Sequence, residues 1–309
     1  MKMKKLWLLP LLLGFACTSP QSGEDPKHRV SIVCTTGMIA DVVDYLVGDS
    51  ADVVALMGPG VDPHLYKASQ GDVRKLSNAN TIVYNGLHLE GKMTGILEKM
   101  SSSTNVIKMS EGLPSDRLLN SSDYAGAYDP HIWFDIDLWS EASEYAAAEL
   151  IAEYPQWSSM IESKNREWQS ELENLDQWCS EKIKSIPESQ RVLVTAHDAF
   201  KYFGERYGID VRGLQGISTA AEYGLRDISE MVTFMTDNKI NAIFIETSVP
   251  KRAIEAVIEG CVERGHNLKI GGELYSDALG EKGSDAGTYQ GMVRQNVNTI
   301  VSSLKVDVQ

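Results

Sequence analysis

The longest stretch with apolar residues at helical spacing lies in the middle of the chain and divides it into two halves. Apolar residues recur at helical spacing, with Glu, Lys and Arg between them, at Trp157, Met160, Ile161, Trp168, Leu172, Leu175, Trp178 and Ile183. A helix of about 30 residues spans roughly 45 Å, which is long for one domain. We therefore predict a rigid helix over residues 156–186 that joins two lobes; one short amphipathic run argues against the alternative, a coiled coil.

Strand-like and helical segments alternate on both sides of this helix. The predicted strands and extended pieces are 29–34, 53–57, 81–85, 106–109, 191–195, 213–216, 242–246 and 268–271. The predicted helices between them are 38–47, 72–76, 90–100, 139–153, 198–207, 224–238, 251–264 and 287–304. Such alternation is typical of βα units with parallel sheets, so the fold class is α/β. We assign residues 29–155 and 187–309 to separate lobes, because a chain of this length is too long for one compact core.

The N-terminus has the order of an export signal. Residues 1–5 contain three lysines, and residues 6–16 form an apolar run that is too short to span a membrane. The run ends in Gly-Phe-Ala-Cys, which resembles a bacterial lipobox with Cys17 as the lipid-modified residue. We predict a signal peptide over 1–16, a flexible tether over 17–28 and a protein outside the cytoplasm, in the periplasm or at the cell surface. Ordinary cleavage without lipidation is the alternative.

The net charge limits the classes of partner, and the cysteine spacing argues against disulfide bonds. The formal net charge is −14, and such an acidic surface disfavours nucleic acid and anionic lipid as partners. Cys34, Cys179 and Cys261 are scattered and show no CxxC spacing, so a disulfide framework is not expected. We predict that Cys34 lies in the core of a strand and that the other two cysteines are half-buried on helices.

Three of the six histidines follow predicted strands or stiff loops. His64 and His131 both end an Asp-Pro-His tripeptide, and His197 follows the strand 191–195. Proline fixes its own φ and keeps the preceding residue out of the helical region, so each loop presents its imidazole with little freedom. Asp62 or Asp129 could accept the second ring N–H and orient the imidazole, although the residues alone leave this open. Ligands bind at the carboxyl ends of strands in such folds, so the pattern suits a shared metal site and leaves three surface histidines as an equal alternative.

Several stretches resemble one family in order and spacing. They are MGPGVDPHLYKASQGDV, NGLHLEG, DPHIWFD, LVTAHDAFKYFGERYG, GLQGISTAAE, AIFIETSVP and GGELYSDALG. The chain is similar, from about Val30 to Leu304, to the TroA-like solute-binding proteins of bacterial zinc/manganese ABC importers. The resemblance implies two (β/α)4-type lobes with parallel sheets, one rigid helix between them, and a metal site in the interlobe cleft. It also implies a monomeric protein that delivers its ion to an ABC permease.

The resemblance assigns the ligands position by position. They are His64, His131, His197 and Asp277, two from each lobe. The Ser-Asp-Ala-Leu match favours Asp277 over Asp285 of the same loop, and a helix-capping turn is its alternative role. Glu246, at the end of the strand 242–246, is expected either to support the metal site or to be a plain loop residue. His88 is assigned to local structure, and His28 and His266 to the solvated surface.

The ligand set leaves the metal open. Three imidazoles and a carboxylate suit Zn²⁺, and also Mn²⁺ or Fe²⁺ if the carboxylate is bidentate or water enters. Residues 101–128 contain no histidine, whereas many dedicated zinc importers of the family have a histidine-rich loop there.

The sequence lacks HExxH and G-x-S-x-G motifs, so an enzyme such as a secreted zinc hydrolase is not expected. A surface adhesin is kept as a secondary role.

Overall fold

The computed structural model describes residues 29–121, 126–220 and 223–305. The predicted signal peptide, the tether, Cys17 and His28 lie outside the described residues. Within those ranges, no helix has the length and apolar character that crossing a bilayer requires.

The N-terminal lobe contains one parallel sheet. Its strands are β1 (Val30–Cys34), β2 (Ala51–Ala55), β3 (Thr81–Tyr84) and β4 (Asn105–Lys108), and they pair in the order β2-β1-β3-β4. Its helices are α1 (Gly37–Val47), α2 (Gln70–Asn78), α3 (Thr94–Met100) and α4 (Ile136–Glu153). Strand β1 lies between β2 and β3, so the connections diverge at its carboxyl end. In open α/β sheets this is the edge where ligands bind.

The C-terminal lobe repeats this alternation with a different pairing. Its strands are β5 (Val192–His197), β6 (Asp210–Gln215), β7 (Ala242–Glu246) and β8 (Lys269–Leu274). They form two parallel pairs, β5-β6 and β7-β8, with β5 and β7 side by side. Its helices are α6 (Lys201–Tyr207), α7 (Leu225–Asp237), α8 (Arg252–Glu263) and α9 (Tyr289–Leu304). The predicted α/β class with parallel strands in both lobes is confirmed.

Helix α5 (Ser158–Lys184) connects the lobes and packs against both. It contacts α1 and α4 on one side and α6 and α9 on the other. One stripe of its side chains is buried: Ile161, Trp168, Leu172, Leu175, Cys179 and Ile183. This apolar stripe explains why the helix lies along the molecule instead of standing in solvent between two separate bodies.

The main core continues from one lobe to the other through α5. Leu46 of α1, Trp168 of α5 and Val297 of α9 belong to one buried apolar cluster. Each lobe also has a smaller cluster of its own. The lobes therefore share one cluster besides their own, since the amphipathic helix supplies an apolar face to both halves.

The structure also shows where three cysteines and two further histidines lie, for which the sequence predicted a degree of burial or a local role. Cys34 is fully buried in β1, as predicted, but Cys179 and Cys261 are also fully buried, because they lie on the inward faces of α5 and α8. The exposed His88 has φ +65° in the turn before α3, which agrees with a local role. His266 was expected on the surface, yet it is half-buried, and its imidazole Nε2 lies 2.5 Å from the carbonyl of Ile240.

Candidate metal centre

Four side chains meet where the two lobes face each other. His64 lies in the loop after β2, and His131 directly precedes the short 3-10 turn Ile132–Phe134 that leads into α4. His197 is the last residue of β5, and Asp277 follows β8 by a few residues. Because parallel strands end at the same edge of their sheet, each lobe presents two of these residues to the other lobe. Asp285, the alternative to Asp277, is exposed and lies outside this cluster.

The four side chains approach each other closely enough to share one ion. One ligand atom from each of the four lies within 4.8 Å of the others. The Nε2 atom of His131 lies 3.3 Å from Nε2 of His64 and 3.4 Å from Nε2 of His197. Oxygens of Asp277 lie 3.4 Å from Nε2 of His131, 3.4 Å from Nε2 of His197 and 3.9 Å from Nε2 of His64. Zinc binds histidine nitrogen at about 2.0–2.1 Å, which places the corners of a tetrahedron roughly 3.3–3.4 Å apart.

Burial makes the carboxylate of Asp277 informative. The side chains of His131, His197 and Asp277 are fully buried, and that of His64 is 2% exposed. Neither carboxylate oxygen of Asp277 has a hydrogen-bond partner within the part of the chain that the structure describes. A buried carboxylate without hydrogen bonds is costly, so the residues fit a bound cation between Asp277 and the imidazoles.

Two of the imidazoles are fixed by buried carboxylates. Oδ1 of Asp129 accepts the backbone N–H of His131 at 2.9 Å and lies 2.7 Å from the ring Nδ1 of the same histidine. Glu246 contacts His197 in the same manner: its Oε1 accepts the backbone N–H at 2.8 Å, and its Oε2 lies 2.5 Å from the ring Nδ1. Such contacts orient the rings so that Nε2 of each faces the centre. This geometry favours the supporting role of Asp129 and Glu246 over a plain loop role.

The third carboxylate near the centre, Asp62, makes different contacts. Its Oδ1 accepts the backbone N–H of His64 at 2.8 Å. Its Oδ2 accepts the hydroxyl of Thr219, in the loop after β6 of the other lobe, at 2.6 Å. Asp62 therefore holds the backbone of His64 and does not orient its ring.

The charges around the four side chains favour replacement of histidine ring protons by a metal ion. Burial lowers the pKa of His64 to about 3, so its ring is neutral and ready to donate a lone pair. Burial also opposes charge on His131 and His197, but Asp129 raises the pKa of His131 to about 9 and Glu246 raises the pKa of His197 well above its usual value. Burial acts to raise the pKa of Asp277, yet the neighbouring His197 and His131 hold it well below its usual value. A metal ion entering this cluster displaces the ring protons.

Two supporting contacts were not expected from the sequence. The indole Nε1 of Trp133 donates to the carbonyl of Ser276 at 2.9 Å, so a residue of the first lobe holds the backbone next to Asp277. Thr219 binds Asp62 across the cleft. Trp133 stands two residues after a candidate ligand, which could have marked it, whereas Thr219 has no local sequence signal.

The chain is similar in sequence and in structure to known metal-binding proteins. Residues 32–303 match the family model ZnuA, described as the periplasmic zinc-uptake complex component A. The manganese-binding lipoprotein MntA of Bacillus subtilis is 46% identical over 289 residues, which cover 94% of each chain. The zinc-binding protein TroA of Treponema pallidum is 44% identical over 298 residues, which cover 96% of each chain. A solved structure of this periplasmic TroA superposes with a TM-score of 0.88 at 43% identity, over 90% of this chain and 100% of the other.

Proposed function

The chain belongs to the ZnuA family of zinc-uptake components, and on that basis we propose that it is the substrate-binding protein of an ABC importer. It captures a divalent transition metal outside the cytoplasm and delivers the ion to a membrane permease. The single observation that carries the proposal is the buried cluster of His64, His131, His197 and Asp277, whose ligand atoms lie within 4.8 Å of one another.

The ion is cargo and not a catalyst. Four protein ligands fill a tetrahedral shell, whereas catalytic zinc keeps one position open for water. The buried ligand side chains also leave little room for a substrate beside the ion. A binding protein that encloses its ion is therefore favoured over a zinc hydrolase.

Zinc and manganese are the two proposed cargoes, and iron(II) is a third that the ligand set tolerates. The spacing between the ligand atoms suits tetrahedral zinc. Sites of this kind bind zinc more tightly than manganese, so manganese uptake requires that zinc be scarce or that the geometry expand. Two of the similar proteins, MntA and TroA, are named for manganese and for zinc respectively.

Competition titration with metal-free protein tests the proposal. Wild-type protein should bind one Zn²⁺ or Mn²⁺, and His64→Ala, His131→Ala, His197→Ala and Asp277→Ala should each bind far more weakly. His88→Asn is the matched control, because His88 is exposed, lies outside the cluster, and adopts a positive φ that asparagine tolerates. Wild-type affinity in all four variants would refute the site, and absence of any metal binding by wild-type protein would refute the function.

We further propose how the protein is organised at the membrane. Cys17 is lipid-modified after removal of residues 1–16, and residues 17–28 tether a monomer whose lobes are 29–155 and 187–309, joined by 156–186. When cells that express the protein are grown with a labelled fatty acid, the label should appear on the wild-type protein and not on Cys17→Ser. Equal labelling of the two would contradict the anchor without affecting the metal site.

A further inference from the structure

The two Asp-Pro-His tripeptides are used in different ways. In both, the carboxylate of the aspartate accepts the backbone N–H of the histidine two residues later, at 2.8 Å for Asp62 and 2.9 Å for Asp129. Asp129 uses the same oxygen to contact the ring of its own histidine. Asp62 directs its second oxygen across the cleft to the hydroxyl of Thr219, at 2.6 Å. One sequence motif therefore orients a ring in one loop and joins the lobes in the other.

The loop that bears His64 contacts the opposite lobe at a second point. Gly60 has φ +68°, and a Cβ atom at this position would lie 3.3 Å from the carbonyl oxygen of Thr247, which follows β7. Residues 58–64 thus approach both the loop after β6 and the loop after β7. Because His64 ends this segment, any separation of the segment from the second lobe moves a candidate metal ligand.

The contact between Asp62 and Thr219 is suited to control this separation. Thr219 is 9% exposed, so water competes weakly for its hydroxyl. Hydrogen bonds to a carboxylate are stronger than those between neutral groups. His131 and His197 are each held by a carboxylate of their own lobe, whereas the backbone of His64 is attached to an aspartate that also binds the second lobe.

We propose that Asp62 and Thr219 form a closure latch whose hydrogen bond keeps His64 on the bound ion and slows release of the metal. This inference rests on the proposed function of the same site. Thr219 acts as a positioning residue, since it touches the aspartate and not the ion. Loss of its hydroxyl should leave the ligand set intact while shortening the time that the ion stays bound.

The test measures metal release by stopped-flow transfer of Zn²⁺ to an excess of chelator. Thr219→Val retains the branched shape and removes the hydroxyl, whereas Thr219→Ser retains the hydroxyl. We expect Thr219→Val to release zinc about tenfold faster than wild type, with Thr219→Ser close to wild type and the association rate unchanged. X-ray absorption of the zinc-loaded variants should give the wild-type set of ligands. Equal release rates for Thr219→Val, Thr219→Ser and wild type would overturn the latch.

A double-mutant cycle separates the latch from a general effect on the fold. Thr219→Val should have no further effect on release in an Asp62→Ala background, because the partner of its hydroxyl is already gone. Additive effects of the two substitutions would overturn the direct coupling. Thr219→Ala serves as a second variant if the valine form does not fold. Failure of the proposed function would be distinct, since wild-type protein would then bind no zinc at all.

Discussion

His131 and His197 are held in their loops and strands much more firmly than His64 and Asp277. A buried carboxylate contacts both the backbone N–H and the ring Nδ1 of each member of the first pair. Of the second pair, His64 has a carboxylate only on its backbone, and the carboxylate of Asp277 has no hydrogen-bond partner among the described residues. The difference indicates that one half of the centre is fixed before an ion arrives, while the other half depends on the ion and on contacts between the lobes.

Removal of a ligand from the fixed half should have the largest effect. Four-ligand zinc sites release about 10–16 kcal/mol on binding, so loss of one ligand should weaken affinity by about 100–1,000-fold. We expect His131→Ala and His197→Ala to reach this range in chelator competition. His64→Ala should lose less, because its loop is held less firmly. Equal losses for all three would remove the distinction between the two halves.

Removal of the supporting carboxylates should have the next largest effect. Asp129→Asn and Glu246→Gln change the contact with the ring Nδ1 of a ligand, and such changes reduce metal affinity by about 10–100-fold. Asp62→Asn should have a smaller effect on equilibrium affinity, since Asp62 contacts no ring. A competition titration of the three variants against zinc gives the order. An Asp62→Asn loss as large as the other two would contradict the comparison.

Acidification should weaken metal binding through His131 and His197, the fixed half of the centre. Despite burial, the pKa of His131 is raised to about 9 by Asp129 and that of His197 is raised well above its usual value by Glu246, so both rings hold protons more tightly than a free imidazole and the ion must displace them. Affinity should therefore increase with pH up to the pKa of His131 and fall by about tenfold or more per pH unit below it. Calorimetry in buffers of different ionisation enthalpy measures the protons released. Flat affinity between pH 7 and pH 5 would count against a histidine-built site.

The smallest expected effect tests how Asp277 is positioned. Trp133→Phe removes the donor to the carbonyl of Ser276, so the free energy of unfolding should fall by about 1–3 kcal/mol and zinc affinity by a few-fold. Trp139→Phe is the matched control, because Trp139 is equally buried and its indole N–H has no hydrogen-bond partner in the described part of the chain. Chemical denaturation and zinc titration of both variants give the comparison. Equal behaviour would mean that the indole hydrogen bond does not position Asp277.

The α/β fold class and three of the four candidate ligands could be predicted from local signals in the sequence. Helical and strand periods mark the elements, and His64, His131 and His197 stand where strands or proline-stiffened loops end. The assignment of Asp277 required the family resemblance, since an aspartate in a polar loop has no distinctive pattern. That these four residues bind the metal stays a prediction, although the structure brings them together.

Contacts between distant residues could not be read from the sequence. Thr219 and Asp62 are 157 positions apart, and a threonine in a small-residue loop indicates nothing about its partner. The role of Glu246 was left open for the same reason, because its contact with His197 joins two different strands. Burial of Cys179 was underestimated, since the apolar stripe of α5 meets surfaces from both lobes and not from one.

The apolar layer along α5 has a consequence for the importer that receives this protein. A wide swing of one half away from the other would bring Trp168 and its neighbours into water, at a cost of about 25 cal/mol for each Å² exposed. We therefore expect the metal-bound and metal-free forms to have nearly the same separation of the lobes. A permease that distinguishes the two forms would then have to recognise the loops around the metal site, and not the separation of the two lobes.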